Sequence, residues 1–159
     1  MDLWQAISNL PLSTLIGQSS FYFPVLECIH VSAISIVVGV IAVVDLRLLG
    51  LAWVARPVDD LADELTTYTW MAFVVALISG GLMFISKAPE YVKNPMFQYK
   101  MALLVLAGLN MAVFQMFTYR TVGHWREQSL PTVTARLAGA ASLALWIGIL
   151  VLGRWIAFV

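Results

Sequence analysis

The chain has 159 residues, of which 61% are hydrophobic and 11% are charged. Soluble domains are about 45–50% apolar and about 25% charged, so this composition indicates an integral membrane protein. The formal net charge of zero excludes a nucleic-acid-binding protein, and the single cysteine excludes an internal disulfide and a multi-cysteine metal site.

The first residues predict a short amphipathic structure at the membrane surface. Residues 1–17 carry apolar side chains among polar ones, and Pro11 interrupts the pattern. This is typical of a short interfacial helix, or of a pair of helices. The segment lacks the basic region and cleavage motif of a signal peptide. The chain also lacks repeats and linkers, so we expect one domain over residues 1–159.

Four apolar runs are long enough to cross a bilayer, which requires about 20 residues in a helix. They cover residues 21–50, 66–86, 98–119 and 132–158. Segments 87–99 and 121–131 between them are predicted as loops. The predicted fold class is therefore all-α, an integral membrane four-helix bundle with a short amphipathic N-terminal interfacial helix.

An even number of spans places both chain ends on one face of the membrane, here called the terminal side. Basic residues outside the predicted bundle favour the opposite side as cytoplasmic. They are Lys87 and Lys93 on the terminal side, and Arg56, Arg120, Arg126 and Arg136 on the opposite side. We therefore expect both termini on the non-cytoplasmic face of the membrane.

A layer of charged and titratable side chains is predicted near the terminal side. Counting from the span midpoints, Glu27, Lys100 and Arg154 all lie about 12–13 Å from the midplane, and His30 about 7–8 Å. Glu27 and His30 are three residues apart, so they share one helix face. Charged groups inside a bilayer face protein, water or a partner, so these side chains indicate a common pocket.

Haem b is the cofactor that this layer predicts. His30 would ligate the iron, and Lys100 and Arg154 would hold the propionates nearer the surface. Met83 lies at a similar depth to His30 and is a candidate second ligand, whereas Glu27 is a candidate to orient the imidazole. The other histidine, His124, falls in a predicted loop on the opposite side.

Two other interpretations of the layer stay open. Glu27 would pair with Lys100 or Arg154 and only fasten the helices. A transition-metal site on Glu27 and His30 is also possible, but one Glu-x-x-His motif without further carboxylates does not favour a di-metal centre.

A second polar layer is predicted toward the opposite side of the membrane. Its residues are Asp45, Asn110, Gln115 and Arg136. We expect Asp45 and Arg136 to form a structural pair. If the two layers connect through Asn110 and water, the bundle would relay protons or pass a small solute.

Several sequence strings together resemble an uncharacterised bacterial family of short four-span integral membrane proteins. They are Phe23-Pro24 with Glu27-x-x-His30, residues 45–51, Asn94-Pro95-x-Phe97-x-x-Lys100, residues 107–110 and residues 153–156. The resemblance implies that Glu27, His30, Asp45, Arg47, Lys100, Asn110 and Arg154 belong to a shared scaffold or site. Relatives often carry His where this chain has Gln115, so a second haem on that side is not expected here. A looser likeness to four-helix b-type cytochromes rests on architecture and one histidine, so it is an analogy at the level of the fold.

The leading functional hypothesis is a haem-binding membrane protein that exchanges electrons with a quinone or a partner protein. One alternative is a carrier or channel for a small anion or for protons. Another is a non-catalytic assembly subunit, with a homo-oligomer also possible. The sequence predicts no catalytic residue, and enzymatic activity stays open.

Overall fold

The computed structural model describes residues 3–53, 58–114, 116 and 131–158, with the backbone alone for 58–66. The described residues form helices and no strand. In chain order these are α1 Leu3–Ser8, α2 Pro11–Gln18, α3 Tyr22–Leu48, α4 Val58–Ser86, α5 Ala88–Lys93, α6 Pro95–Val113 and α7 Val133–Trp155, with a 3₁₀ turn at Ile156–Phe158.

Four of these segments are long and apolar enough to cross a membrane. They are Tyr22–Leu48, Thr67–Ser86, Pro95–Val113 and Val133–Phe158. The predicted all-α fold with four membrane-spanning helices and a short N-terminal helical segment is confirmed. The predicted end of the third span, at residue 119, lies outside the described residues.

The N-terminal segment is a pair of helices that packs on the end of α4. Pro11 begins α2, where a missing backbone N–H costs nothing. The buried Ser13 hydroxyl donates to the Ile7 carbonyl at 2.9 Å, which ties α2 to α1. A Cβ on Gly17 would lie 3.2 Å from the Ser86 carbonyl oxygen, so α2 approaches α4 closely at this point.

Local features of the sequence define where α3 begins and where it ends. The Ser19 hydroxyl oxygen accepts from the backbone N–H groups of Phe21 and Tyr22, which satisfies two backbone donors at the start of the helix. At the other end Gly50 has a φ of 75°. The Leu51 N–H donates to the Leu46 carbonyl at 3.0 Å, a helix-ending bond that this left-handed residue allows.

The loop predicted over residues 87–99 is wrong, because helix α5 and the start of α6 occupy most of it. Asn94 separates the two helices. Its side-chain oxygen accepts from the backbone N–H groups of Met96 and Phe97 at 2.9 and 3.3 Å, and Pro95 follows at the first helical position. This cap starts the third span three residues earlier than its hydropathy predicts.

The spans pack in the order α4–α3–α7–α6. α3 packs against both α4 and α7, and α6 packs against α7. Within the described ranges, direct packing of α6 on α3 or α4 is slight at most. The buried apolar residues include Ala33, Ala72, Ala76, Ala107 and Ala135. Small residues let membrane helices approach closely, and many of the larger apolar side chains are left on the outside. Val37, Leu48 and Ile149 are exceptions that are buried.

The outer surfaces of the spans are apolar. Exposed examples, one from each span, are Ile36, Leu77, Val105 and Ile147. An apolar surface of this extent is suited to lipid contact, so the chain is a multi-pass membrane protein.

Candidate functional site

A cavity of about 760 Å³ lies at the terminal side of the bundle. Its walls come from the start of α3, the end of α4, α5, the start of α6 and the end of α7. Glu27, His30, Met83 and Lys100 line it, as do Lys87, Lys93, Glu90, Tyr91, Phe84 and Phe97. Its volume is in the range of small-molecule and cofactor sites, about 300–1,000 Å³.

His30 is held against α4 through one of its ring nitrogens. Its Nδ1 lies 2.9 Å from the Ala76 carbonyl oxygen and 3.1 Å from the Ser79 hydroxyl oxygen. Because a carbonyl only accepts, the proton is assigned to Nδ1. The buried Ser79 hydroxyl donates to the Val75 carbonyl at 2.7 Å, which leaves its lone pairs for His30. In the neutral imidazole, Nε2 then carries the free lone pair beside the cavity.

Gly80 allows the imidazole to lie this close to α4. A Cβ at this position would lie 2.8 Å from His30 Cε1 and 3.2 Å from Nδ1. Any larger residue at position 80 would displace the ring. A Cβ on the adjacent Gly81 would have nothing within 4 Å. The close approach of α3 to α4 at this point thus depends on Gly80, and its partner is His30.

Lys100 enters the cavity from α6 and lies across Gly153 of α7. Its Nζ, Cε and Cδ would be 3.6–3.9 Å from a Cβ on Gly153, which is ordinary contact. Within the described part of the chain, Glu27 forms no ion pair with Lys100 or Arg154, so the interpretation as a fastening pair is wrong. With His30 neutral, the cavity's three lysines and two glutamates leave one positive charge.

Aromatic rings from three helices form one wall of the cavity. Phe84 and Phe97 stack at 5.4 Å between ring centroids with planes 12° apart, and Tyr91 lies 5.4 Å from Phe97. Trp4 meets Phe84 edge-on at 5.9 Å, so α1 supports this wall from outside. Burial, followed by the negative charges of Glu27 and Glu90, raises the pKa of the Tyr91 hydroxyl, which therefore stays neutral.

Two of the predicted roles do not match the observed contacts. Arg154 is exposed and is not among the residues that line the cavity. Its guanidinium carbon lies 4.9 Å from the centroid of the Phe158 ring. A cation–π contact thus replaces the predicted contact with a cofactor. Glu27 does not orient His30, because the Ala76 carbonyl and the Ser79 hydroxyl occupy Nδ1.

The second polar layer is only partly assembled. Asp45 is buried and accepts a hydrogen bond from Ser142 of α7, whereas Arg136 is exposed, so the expected Asp45–Arg136 pair does not form. The Asn110 amide donates to the Ala138 carbonyl at 3.1 Å. Gln115 and His124 lie outside the described residues. None of the described residues of this layer lines the cavity.

Sequence reasoning missed Lys87, Lys93 and Tyr91 as cavity residues. All three were assigned to a loop, where charged and aromatic side chains are ordinary surface features. The signal that would have found them is the Asn94-Pro95 pair, since it predicts a helix start and therefore a compact turn above the cavity. Among the described residues, no three His, Cys, Asp or Glu side chains come together to hold a metal ion.

A family model matches residues 12–159, which is nearly the whole chain, and its description is "Family of unknown function (DUF6644)". No curated protein and no solved structure matches the chain. Because the match includes all four spans and every residue of the cavity, the chain belongs to this family of unknown function, DUF6644.

Proposed function

We propose that the protein binds haem b in the terminal-side cavity, where His30 Nε2 would ligate the iron. The observation that carries this proposal is the hydrogen bond from His30 Nδ1 to the Ala76 carbonyl. Metal-ligating histidines usually donate their second ring N–H to a carbonyl or carboxylate, which fixes the tautomer and the ring orientation. With Nδ1 engaged in this way, Nε2 would be the ligating nitrogen of this cavity-lining histidine.

The other cavity residues fit the same ligand. Met83 lies on α4 beside the cavity and offers a thioether as a second ligand. Lys100 has no acidic partner among the described residues and would hold a propionate through a charge-assisted hydrogen bond. The stacked Phe84 and Phe97 rings offer an apolar wall to a flat conjugated ring. When bound, the haem supplies one-electron chemistry at the iron.

The electron partner in this proposal is a membrane quinone or a protein outside the membrane. The cavity lies at the end of the spans that carries the chain termini, so both the bilayer and the aqueous phase are near. In this proposal the protein lies in a bacterial inner membrane, and the charge balance of the loops favours this end in the periplasm.

Variants of the two histidines test the proposal. Full-length protein from haem-supplied cells is purified in detergent, and bound haem is measured per chain as the pyridine complex. We expect about one haem per chain in the wild type and in His124→Ala, and loss of haem in His30→Ala. Equal haem content in the two variants would refute ligation by His30.

A small-anion carrier is a second candidate, favoured by the net positive charge of the cavity. It predicts anion flux into liposomes that disappears in Lys100→Met. A colourless wild-type protein with such a flux would replace the haem proposal.

A further inference from the structure

Asp45 is a buried carboxyl group that the terminal-side cavity does not use. It lies on α3 three residues before the helix ends, at the opposite end of that span from His30. Only 5% of its surface is exposed. Charged side chains are almost never buried to this degree without a partner, so its surroundings decide its protonation state.

The hydrogen bonds of Asp45 satisfy only part of the accepting capacity of a carboxylate. The Ser142 hydroxyl of α7 donates to this side chain. Its Oδ2 is fully buried and has no hydrogen-bond partner among the described residues. A Cβ on Gly139 would lie 3.1 Å from the Asp45 carbonyl oxygen, so the α7 backbone closes directly over this part of α3. An ionised carboxylate normally needs several donors, and the described residues supply one.

No described cation compensates a negative charge at Asp45. Arg136 of α7 is exposed and unpaired with Asp45. Arg47 is two residues further along α3, about 200° around the helix, and so departs from another side. On α6, the Asn110 amide is engaged with the Ala138 carbonyl. The last turn of a helix also carries the negative end of its dipole, which disfavours an anion.

We propose that Asp45 is a proton-binding site of the bundle, held as a neutral carboxylic acid and oriented by Ser142. The neutral form removes the cost of a buried charge, and it needs fewer donors than the ion does. This site goes beyond haem binding, since it shares no residue with the terminal-side cavity. Its ligand is the proton, and it would mark where the opposite end of the bundle takes up or releases one.

Dicyclohexylcarbodiimide, an apolar reagent for protonated carboxyls, is the first probe. The acid proton moves to a carbodiimide nitrogen while a carboxyl oxygen bonds to the central carbon, and the adduct rearranges to a stable N-acylurea. Full-length protein in nanodiscs is treated at neutral pH, and modified peptides are identified by mass spectrometry. We expect labelling of Asp45 and not of the exposed Glu90, with the Asp45 adduct lost in Asp45→Asn.

Infrared spectroscopy gives a second test that does not depend on reagent access. At neutral pH the wild type should show the C=O stretch of a protonated carboxyl that shifts in D₂O and is absent in Asp45→Asn. Ser142→Ala should keep this band and move it to higher frequency, because one hydrogen bond is lost. A wild type without the band, or a band unchanged in Asp45→Asn, would overturn the proposal whatever the haem content.

Discussion

His30 and Gly80 act as one unit at the scale of single residues. The imidazole occupies the space that a side chain at position 80 would fill, because a Cβ added there would lie 2.8 Å from Cε1. The ring is also fixed from α4 by the Ala76 carbonyl and Ser79. The position of the imidazole beside the cavity therefore depends on α4 as much as on the helix that carries the histidine.

Gly80→Ala should displace the His30 ring and greatly reduce haem binding, without removing the ligand itself. Gly81→Ala is the matched control, since a Cβ there meets nothing within 4 Å. Haem content and the visible spectrum of both purified variants provide the measurement. Normal haem binding in Gly80→Ala would show that the observed position of the imidazole is not the ligating one.

Lys100 and Arg154 look equivalent in the sequence, but they occupy different positions in the structure. Lys100 lines the cavity, whereas Arg154 lies against Phe158 outside it. Lys100→Met should weaken haem binding about ten- to a hundredfold, as expected for loss of a charge-assisted hydrogen bond of about 1.5–3 kcal/mol. Arg154→Met should leave it unchanged, as measured by titrating haem into the apoprotein. Equal effects in the two variants would contradict this assignment.

The sequence predicted the site residues on the spans better than those between them. Depth along a helix follows from residue number, which placed His30, Glu27, Met83 and Lys100 at one level. Whether a side chain faces inward at that level depends on the rotation and ending of its helix. Arg154 is followed by a 3₁₀ turn that brings Phe158 beneath it, and this change of helix type has no clear signal in the sequence.

At the scale of helices, glycine and alanine determine how closely the spans approach. A Cβ added to Gly139 would lie 3.1 Å from both the Asp45 carbonyl oxygen and Leu48 Cβ, so backbone faces backbone between α3 and α7. A contact with backbone cannot be relieved by a side-chain rotation. The α3–α7 interface is therefore tight at its opposite-side end.

Gly139→Ala should lower the free energy of unfolding by about 1–3 kcal/mol through overpacking. Gly108→Ala is the control on α6, where a Cβ meets nothing within 4 Å. The control should be neutral or more stable by up to about 1 kcal/mol, because alanine is the better helix former. Thermal unfolding in detergent compares the two, and a Gly139→Ala variant as stable as the wild type would exclude the close contact.

The presence of the four membrane-spanning helices was predictable from composition. Their exact ends depended on local hydrogen bonds and capping residues. Hydropathy identified each span because about 20 apolar residues have few other structures available in a membrane protein. The start of α6 depended on one hydrogen-bonding cap at Asn94, and helix α5 is too short for any periodic pattern. Interruption of the N-terminal pair at Pro11 was predictable, since proline begins a helix but cannot continue one.

At the scale of the whole molecule, an open packing order creates the cavity. In the described ranges α6 packs on α7, and its packing on α3 or α4 is slight at most. The terminal end of the bundle is therefore not filled by side chains. α5 crosses from α4 to α6 above this space and brings Tyr91 and Lys93 to its edge, and Lys87 directly precedes it. The fold therefore leaves room for a ligand where the charged side chains meet.

The orientation of the bundle can be tested with single cysteines. In a Cys28→Ser background, Glu90→Cys marks the terminal side and Trp53→Cys the opposite side, and both positions are exposed. A membrane-impermeant maleimide added to intact bacterial cells should label Glu90→Cys only. Labelling of Trp53→Cys instead would reverse the proposed orientation, and labelling of both would contradict the four-span topology.

The visible absorption spectrum of the wild-type protein tests haem binding most directly. The full chain is expressed in haem-supplied cells, purified in mild detergent, and recorded oxidised and then reduced with dithionite. We expect a Soret band with reduced-state peaks of a b-type haem, at a content close to one haem per chain. A colourless, folded protein that also fails to take up added haem would show that His30 does not ligate iron.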